Sequence, residues 1–243
     1  MDSETWTPGR ILQTSMEIGS AAWRQTVIDG AAELGVSVSD GQARSMGRHA
    51  REMVQWNRVS NLTAITDPLA VAVKHYVDAL AVTASLDSGQ RVLDAGTGGG
   101  FPGLPLKIVR SDLLLTLVDS VRKKVSFLKY AIGALGLDGI RAVHGRLEEL
   151  GRMPAYHKHF DRVVCRAFAS LEDFARLCLP FLAPGGCLLA MKGPQAEHDH
   201  EIDAVSDDGL LLLADTRFRI QIHRYRLPVL GDQRRLVRLT PIG

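Results

Sequence analysis

A glycine-rich turn that follows a short apolar segment constrains the fold of this chain more than any other feature. The stretch reads Arg91-Val-Leu-Asp-Ala-Gly-Thr-Gly-Gly-Gly-Phe-Pro-Gly103. Its apolar start predicts a buried strand, and Pro102 suits the first position of a helix, where the N–H that proline lacks has no partner. Glycines allow positive φ and let the backbone approach a ligand closely. The sequence therefore predicts a strand, turn and helix that hold a nucleotide at the carboxyl edge of a parallel sheet.

Two kinds of nucleotide fit this turn. A G-x-G-x-x-G frame from Gly98 to Gly103 is compatible with a dinucleotide, but it begins late after the strand. The frame that begins at the strand end has Asp94, Gly96, Gly98 and Gly100 at alternate positions and is typical of enzymes that bind S-adenosylmethionine (SAM). The Asp94 carboxylate can accept hydrogen bonds from backbone amides or from a ligand's amine. The turn favours SAM and leaves a dinucleotide as the alternative.

The bulk composition predicts an ordinary globular protein of one or two domains. Its 243 residues are 46% hydrophobic and 23% charged, with a formal net charge of +2. The sequence contains no apolar run near the ~18 residues of a membrane helix and no signal-peptide pattern. Cys165, Cys178 and Cys187 lie in or beside apolar runs without CxxC spacing, which predicts buried thiols in a reducing compartment. We therefore expect a cytoplasmic protein that does not bind membranes.

Helical periodicity precedes the glycine turn, and alternating strands and helices follow it. Residues 1–86 are predicted to form a helical cap, and residues 87–243 the main domain. The predicted cap helices run from Glu17 to about Gly35, from a cap at Ser39 or Asp40 to Arg58, and from Leu69, after Asp67-Pro68, to about Leu86. The alternating part predicts these strands and helices in turn: Arg91–Ala95, Pro102–Val109, Leu113–Val118, Arg122–Leu135, Ile140–His144, Asp161–Arg166, Ser170–Leu182 and Gly186–Met191. This alternation indicates an α/β fold with a parallel sheet and right-handed crossovers.

The C-terminal segment departs from this alternation. It predicts three closing strands, at Leu210–Ala214, Phe218–Tyr225 and Arg235–Leu239, with a hairpin turn at Leu230-Gly-Asp232. From residue 216 to the end it carries seven arginines and a single acid. This bias indicates a local basic face, which is either a plain arginine-rich strand surface or a surface for an acidic partner.

Several polar residues follow the predicted strands and therefore belong at the same sheet edge as the glycine turn. Asp119 suits the ribose hydroxyls of a bound nucleoside or, alternatively, caps the next helix. Leu147 and Glu148 can meet an adenine edge or start an exposed acidic helix. Arg166 can hold an anion or stack on a base, and Lys192 ends the fifth strand in a similar way.

Other charged and histidine-containing segments are less specific. Arg122-Lys123-Lys124 opens a helix whose dipole opposes cations, so the cluster either binds an external anion such as an RNA phosphate or is a solvated turn. His75 and Asp78 share one helix face, where a lone histidine is more often structural. His157-x-His159 and His198-x-His200 lie in polar loops without matching cysteines, so no metal site is predicted.

Together these motifs resemble one family, the bacterial small-subunit ribosomal RNA guanine-N7 methyltransferase G family, formerly glucose-inhibited division protein B. They run from Trp56 to Gly193, with a weaker match at Leu227–Val237. The most specific are Asp94-Ala-Gly-Thr-Gly-Gly-Gly-Phe-Pro-Gly-Leu-Pro105 and Arg166-Ala-Phe-Ala-Ser-Leu171. The shorter ones are Trp56-Asn57, Asn61-Leu62-Thr63, His75-Tyr-Val-Asp78, Asp119-Ser120 with Lys123, Arg146-Leu-Glu-Glu149 and Lys192-Gly193. The sequence departs from the family at three positions, where an arginine, a serine and a serine are usual: Lys74, Ala79 and Cys165.

The resemblance implies a Rossmann-like class I SAM-dependent methyltransferase fold, with a mostly parallel seven-stranded sheet, helices on both faces and an N-terminal helical cap. It implies SAM as the cofactor and methyl transfer to N7 of a guanine in 16S (small-subunit) ribosomal RNA, either naked or within the 30S subunit. We expect a monomer that does not bind DNA. Two other functions stay open: a SAM-dependent small-molecule methyltransferase, and a non-catalytic ribosome assembly factor with a vestigial cofactor site.

The resemblance also assigns residues to the two sides of the site. To Asp94, Gly98, Gly100 and Asp119 it adds five cofactor-binding positions: Gly96, Phe101, Leu147, Glu148 and Arg166. The implied RNA side contains Asn61, His75, Lys123 and Lys192. No catalytic residue is certain, and the candidates for positioning the base are His75, Arg166 and Lys192. Phe168 is either a stacking surface for a base or a core residue.

Overall fold

Helices form the N-terminal part of the protein. The computed structural model describes residues 16–168, 170–193, 205 and 209–242. The helices before the sheet are α1 (Ala21–Glu33), α2 (Asp40–Ser60), α3 (Pro68–Val71), a π-helical turn (Ala72–Val77), α4 (Asp78–Leu80) and a 3-10 turn (Thr83–Ser85). The side chain of Ser39 caps α2 and that of Asp67 caps α3, which confirms both predicted helix starts. None of the helices within these ranges is long and apolar enough to cross a membrane.

Strands and helices alternate in the next part of the chain. The elements in order are β1 (Arg91–Ala95), α5 (Gly103–Val109), β2 (Leu114–Asp119), α6 (Arg122–Leu135), β3 (Ile140–His144), α7 (Leu147–Leu150), β4 (Phe160–Arg166), α8 (Leu171–Cys178), a 3-10 turn (Leu179–Phe181) and β5 (Leu182–Lys192). Strands β1 to β5 pair in parallel, as the alternation predicted. Their carboxyl ends therefore meet at one edge of the sheet, where the glycine turn and the candidate polar residues follow.

Three closing strands complete the sheet, β6 (Leu210–Leu213), β7 (Thr216–Arg226) and β8 (Gln233–Pro241). The strand order is β3-β2-β1-β4-β5-β8-β7-β6, so the last strand of the chain lies between β5 and β7. β8 runs antiparallel to both neighbours, and β6 runs antiparallel to β7. β7 therefore points in the same direction as β1 to β5, and its last residues reach the carboxyl edge.

The family resemblance predicted seven strands, and this number is wrong, because the sheet of the described residues has eight. The additional strand is β6, which pairs with β7 at the edge of the sheet. Leu213 of β6 is buried and Leu211 is partly buried against the core that α8 covers. This alternation of apolar side chains lets a short edge strand bury one face, so the sequence-based strand at Leu210–Ala214 forms nearly as predicted.

Helices cover both faces of the sheet. On one face the N-terminal helices pack together with α5 and α6 onto alternate strand residues such as Leu115, Leu117 and Leu189. On the other face α7 and α8 pack onto the intervening residues, such as Leu93 and Val163. The Gln42 side chain of α2 also donates a hydrogen bond to the Ile108 carbonyl of α5, at 3.1 Å. The N-terminal helices thus share their core with the sheet.

Two predicted boundaries in the N-terminal helices are wrong. The first helix begins at Ala21 instead of Glu17, because Ser20 caps it and accepts a hydrogen bond from the Trp23 amide. The third is not continuous to Leu86, since it widens into the π-helical turn at Ala72–Val77. There the Lys74 carbonyl accepts a hydrogen bond from Arg166 at 2.8 Å, a contact across the fold that the local sequence does not show.

The start of α5 also differs from its prediction. Pro102 is not the first helical residue but precedes it, and the helix begins at Gly103. The Gly103 N–H donates a hydrogen bond to the Asp94 carboxylate at 2.8 Å. The first residue of the helix therefore needs an N–H group, which glycine supplies. Proline at this position would lack that donor.

Gly103 is a position where the sheet and α5 leave no room for a side chain. A Cβ placed there would overlap Leu117 and lie 2.8 Å from Asp94 Oδ2. Gly103→Ala should therefore lower the free energy of unfolding by roughly 1–3 kcal/mol, measured by urea denaturation. The matched control is Gly133→Ala in α6, where nothing lies within 4 Å and alanine should stabilise the helix by about 0.5–1 kcal/mol. Equal effects of the two substitutions would contradict the packing explanation.

Candidate functional site

The glycine turn is built on a buried carboxylate. Asp94 is fully buried, and its Oδ2 accepts hydrogen bonds from Thr97 Oγ1 at 2.6 Å and from the Gly103 N–H at 2.8 Å. These contacts fix both ends of the turn against β1. Burial raises the pKa of Asp94 to about 6, and its Oδ1 has no hydrogen-bond partner among the described residues. Asp94 supports the turn from below, and its direct contact with a ligand stays a prediction.

Asp119 holds the turn from the neighbouring strand. Its Oδ2 accepts a hydrogen bond from the Gly98 N–H at 3.0 Å, and its Oδ1 accepts one from the Val121 N–H at 2.8 Å. The second contact is to the N–H of Val121, the N-cap residue of α6, and this helix has no side-chain cap, so Asp119 does not cap it. Each carboxylate oxygen has two acceptor sites, so these bonds leave acceptors for the ribose hydroxyls of a nucleoside.

A cavity of ≈ 220 Å³ opens at the carboxyl ends of β1, β2 and β3. It is lined by Gly96, Val118, Asp119, Ser120, Gly145, Arg146, Leu147, Glu148 and Phe168. Four of the predicted cofactor-binding residues, far apart in sequence, therefore meet here: Gly96, Asp119, Leu147 and Glu148. The Val118 carbonyl holds the turn at this point, because it accepts hydrogen bonds from the Gly96 and Thr97 amides at 2.9 and 3.1 Å.

The lining has the chemistry that an adenosine group requires. Asp119 and Glu148 offer carboxylate acceptors for hydroxyl or amino groups, and Leu147 and Phe168 offer apolar surface for a purine ring. Gly96 has a φ of 71° and is exposed, and a Cβ there would lie 3.8 Å from Phe168 Cε2. The residues present therefore fit the adenosyl part of SAM. Glu148 also lies in the first turn of α7, which confirms the acidic helix start, while its contact with an adenine edge stays a prediction.

Comparison with known proteins gives this cavity a context. The model of the family described as rRNA small subunit methyltransferase G matches residues 42–208. A protein of Pelotomaculum thermopropionicum named ribosomal RNA small subunit methyltransferase G is 40% identical over 221 residues, which cover 90% of each chain. One of the same name from Geobacter sulfurreducens is 41% identical over 213 residues, 87% of this chain and 94% of that protein.

This chain belongs to the rRNA small subunit methyltransferase G family. A solved SAM-dependent methyltransferase from Aquifex aeolicus resembles it with a TM-score of 0.53 at 16% identity, covering 78% of this chain and 98% of the other. That likeness concerns the fold alone. It confirms the predicted Rossmann-like α/β methyltransferase fold, while the family match confirms the resemblance that the sequence motifs carried.

The remaining predicted cofactor residues of this family member lie beside the cavity instead of in its lining. Phe101 is buried, and the His75 ring stacks on it with centroids 4.5 Å apart and planes 14° apart. The Arg166 guanidinium lies over the same ring, 5.0 Å from its centroid. Gly100 is also buried, and its φ of 98° and close contact with Leu104 explain why glycine is needed there without a ligand.

Arg166 joins the sheet to the N-terminal helices. Its guanidinium donates hydrogen bonds to the Lys74 carbonyl at 2.8 Å and to His75 Nδ1 at 2.9 Å. Because His75 Nδ1 accepts, its Nε2 carries the proton and donates to Thr63 Oγ1 at 2.8 Å. Burial, with the nearby Arg166 charge, lowers the pKa of His75 to about 3. His75 is therefore a neutral, fully hydrogen-bonded ring at neutral pH.

A second charged cluster ties the closing strands to the same helix. The Tyr225 hydroxyl donates to Asp78 Oδ1 at 2.8 Å, and Arg234 Nε lies 3.6 Å from that oxygen. Asp232 bridges Arg234 at 3.3 Å and Lys74 at 3.2 Å. Asp78 and Arg234 are buried, and desolvation raises the pKa of Asp78 against the opposing effect of the arginines. The hairpin between β7 and β8 is thereby fixed one helical turn from His75.

The predicted RNA-side residues occupy the same edge but do not form one cluster. Asn61 ends α2 in the left-handed conformation, with φ of 47°, and is exposed. Lys123 is exposed in the first turn of α6, and Lys192 is the half-buried last residue of β5. His75 is buried behind Phe101. The structure thus separates one buried positioning candidate from three residues nearer the surface.

Sequence reasoning missed several residues that shape the site. Asn57 fastens the loop after α2, because its side chain bonds both the N–H and the carbonyl of Thr63, at 2.9 and 2.8 Å. Both residues stand in motifs that carry the family resemblance, so a signal for them was present. Tyr225 stands outside the matching segments and Arg234 only in the weaker one, and the roles of both depend on contacts with Asp78 across the fold.

The three cysteines are free and buried, which confirms the prediction of buried thiols. Burial raises the pKa of the Cys165 thiol well above its usual range, so it is not a reactive thiolate. Of the histidine pairs considered for metal binding, His198 and His200 lie outside the described residues. His157 Nδ1 instead lies 2.9 Å from the Gly151 carbonyl.

The low pKa of His75 predicts a pH dependence of stability. The unfolded histidine takes up its proton near pH 6.5, while the folded one does so only near pH 3, so the stabilisation is present above pH 6.5 and is lost as the pH falls towards 3. Asp94 acts in the opposite sense, since its raised pKa favours the folded state below about pH 4 and not above pH 6.

In the His75→Asn variant, the unfolded state should no longer bind the extra proton that unfolded His75 takes up between about pH 6 and pH 4. The slope of unfolding free energy against pH, measured by urea denaturation between about pH 6 and pH 4, should fall by about 1.4 kcal/mol per pH unit. The slope is the readout because it does not depend on how much stability the substitution itself costs. An unchanged slope would mean that folded His75 takes up its proton in the ordinary range.

Proposed function

We propose that this protein transfers the methyl group of SAM to N7 of a guanine in small-subunit ribosomal RNA. The observation that carries the proposal is the meeting of Gly96, Asp119 and Glu148 at one cavity, in a chain that matches this methyltransferase family over residues 42–208. A parallel sheet binds nucleotides at this edge, where its strands end. The small-molecule methyltransferase and the assembly factor remain the outcomes against which the proposal is tested.

The adenosyl group is assigned to the ≈ 220 Å³ cavity. Asp119 and Glu148 bind its hydroxyl and amino groups, while Leu147 and Phe168 contact the purine. Gly98 takes part through the position of its backbone, which Asp119 holds at 3.0 Å. Phe101, Gly100 and Asp94 support the turn from its buried side. Arg166 then reaches the site from β4, with its guanidinium held over Phe101.

Methyl transfer to guanine N7 requires alignment more than acid–base chemistry. Bound SAM supplies a methyl group on a positively charged sulfur. Guanine N7 has a free lone pair and no proton to lose, so the reaction needs no general base. The residues of this chain must hold the base and the methyl group in line and exclude water. A neutral His75, hydrogen-bonded at both ring nitrogens, fits a positioning role and not that of a base.

The RNA is assigned to the surface between the N-terminal helices and the carboxyl edge. Asn61 and Lys123 are exposed there, and Arg166 and Lys192 end neighbouring strands β4 and β5. We assign residues 1–86 to a cap that closes this surface and residues 87–243 to the methyltransferase domain. The proposal further takes the protein as a cytoplasmic monomer that acts on RNA and does not bind DNA or membranes.

Methyl transfer is tested with labelled SAM and small ribosomal subunits that lack the modification. We expect the label at N7 of a single guanine, located by mapping of the digested RNA. Deproteinised RNA from the same subunits, incubated in parallel, decides whether the assembled subunit is required. Transfer to small molecules with no label in RNA would support the first alternative. RNA binding without any SAM binding would support the second.

The cofactor assignment is tested with two adjacent glutamates of α7. Glu148→Gln removes a charged acceptor from the cavity and should raise the Kd for SAM about tenfold, measured by titration calorimetry. Glu149→Gln is the matched control, because Glu149 lies in the same helical turn but does not line the cavity. We expect its Kd to stay within about twofold of wild type. Equal effects of the two substitutions would refute the placement of the adenosyl group.

A further inference from the structure

One side of β7 is largely exposed among the described residues. Alternate residues of β7 point to this face, and four of them are exposed: Arg217, Arg219, Gln221 and His223. The register places Arg238 of β8 opposite Gln221 and Leu212 of β6 opposite Arg217, so these side chains share the face. We call these six residues the open face. The other side of the same strands is buried, with Phe218 0% and Ile220 7% exposed.

The open face carries positive charge without matching negative charge. Arg217, Arg219 and Arg238 all lie on it, and the strands β6, β7 and β8 contain no acidic residue. Among the described residues, neither Arg217 nor Arg219 forms an ion pair. The Nε of Arg238 is buried without a hydrogen-bond partner in the same part of the chain. A row of unneutralised arginines of this kind is suited to a chain of phosphates.

The same face carries a stacking surface for a base. The His223 and Tyr225 rings lie nearly parallel, with centroids 6.1 Å apart and planes 17° apart. Tyr225 is half-buried and anchored to Asp78 at 2.8 Å, while His223 is exposed. An exposed ring that lies along an anchored one, with arginines beside it, is a combination found in sites that bind single-stranded nucleic acid.

A groove borders part of the open face. A cavity of ≈ 600 Å³ lies between the N-terminal helices and the strands, with Ala81 and Ser85 on one side and Gln221, Tyr225 and Arg238 on the other. Among the described residues that line this cavity, Glu33 of α1 is the acidic one. From Arg217 to Tyr225 the strand extends by roughly 27 Å. Near the end of β7, the Tyr225 hydroxyl bonds to Asp78, one helical turn from His75, so the strand leads to the carboxyl edge.

We infer that the open face binds a single-stranded segment of the RNA substrate that flanks the target guanine. Arg217 and Arg219 contact its phosphates, and His223 stacks on one of its bases. The inference rests on the proposed function, since it takes the substrate of that site to be RNA. It adds a second contact region, remote from the cofactor cavity, that contributes to substrate affinity and not to the methyl transfer itself.

The first test reverses two charges, with Arg217→Glu and Arg219→Glu in one full-length variant. The KM for deproteinised small-subunit RNA should rise at least tenfold, while kcat and the Kd for SAM stay at wild-type values. The slope of log KM against log salt should decrease by about 1.4, because two phosphate contacts at ~0.7 each are lost. The matched control reverses two exposed charges at the other end of the sheet, with Lys129→Glu and Arg152→Glu. Equal KM values and salt slopes for the two variants would overturn the inference.

The second test concerns stacking. His223→Ala should raise the KM for RNA about fivefold or more, and His223→Phe should restore it, because a phenyl ring also stacks on a base. Thermal unfolding of each variant shows whether the fold is intact. A His223→Ala variant with wild-type KM would refute the stacking contact.

A direct binding measurement separates this inference from the proposed function. The probe is a short fluorescein-labelled single-stranded oligoribonucleotide, and its anisotropy gives Kd for the wild type and each variant without any reaction. If the wild type methylates no RNA, the proposed function fails, and the Kd values still decide whether the open face binds RNA. If the variants bind the probe normally but lose affinity for assembled subunits, the face contacts a ribosomal protein and the inference is overturned.

Discussion

The position of one guanidinium decides how the parts of this protein fit together. Arg166 ends β4 in the sheet, lies over Phe101 of the glycine turn, and donates to Lys74 and His75 of the N-terminal helices. A half-buried arginine requires such partners, because each donor that is shielded from water and left unpaired would carry a desolvation cost. The sheet, the glycine turn and the N-terminal helices must therefore pack against one another for Arg166 to make all of these contacts. The π-helical turn, which presents the Lys74 carbonyl, is part of this requirement.

The same arrangement accounts for the protonation states around the site. His49 and His75 flank Phe101, and burial lowers the pKa of His49 to about 4 and that of His75 to about 3. Asp94, beneath the turn, has the opposite shift. The interior beside the cavity thus disfavours charge of either sign, apart from the arginine that is held by several acceptors. In the proposed reaction, a cationic cofactor and a base that becomes positively charged are placed at the border of this low-polarity region.

Local sequence patterns were sufficient for most of the elements. β1, β3 and α6 have the predicted bounds, because apolar periodicity, glycine and capping residues act within a few positions. The four residues that meet in the cavity were also foreseen, since each follows a strand and parallel strands end at one edge. Family motifs identified the chemistry that geometry alone left open between SAM and a dinucleotide.

Features that depend on distant contacts were not foreseen. The interruption of the third helix follows from Arg166, which is 92 residues away from Lys74 in sequence. The Asp78, Tyr225 and Arg234 cluster likewise joins segments that no periodicity connects. Asp94 and Phe101 matched a ligand-binding pattern, and both are buried beneath the turn, so their direct contact with a ligand stays a prediction. A motif identifies which residues a site needs, but not whether each one faces the ligand or the core.

The position of β8 has a consequence for how the molecule is made. Strand β8 inserts between β5 and β7, which are both synthesised before it. Until β8 has left the ribosome, the edge of β5 that it pairs with has no partner, and the hairpin that carries Arg234 cannot reach Asp78. Folding during translation can complete the parallel half of the sheet but not the whole. A nascent chain that ends before β8 would therefore contain the entire glycine turn and still expose an unpaired strand edge, which favours aggregation.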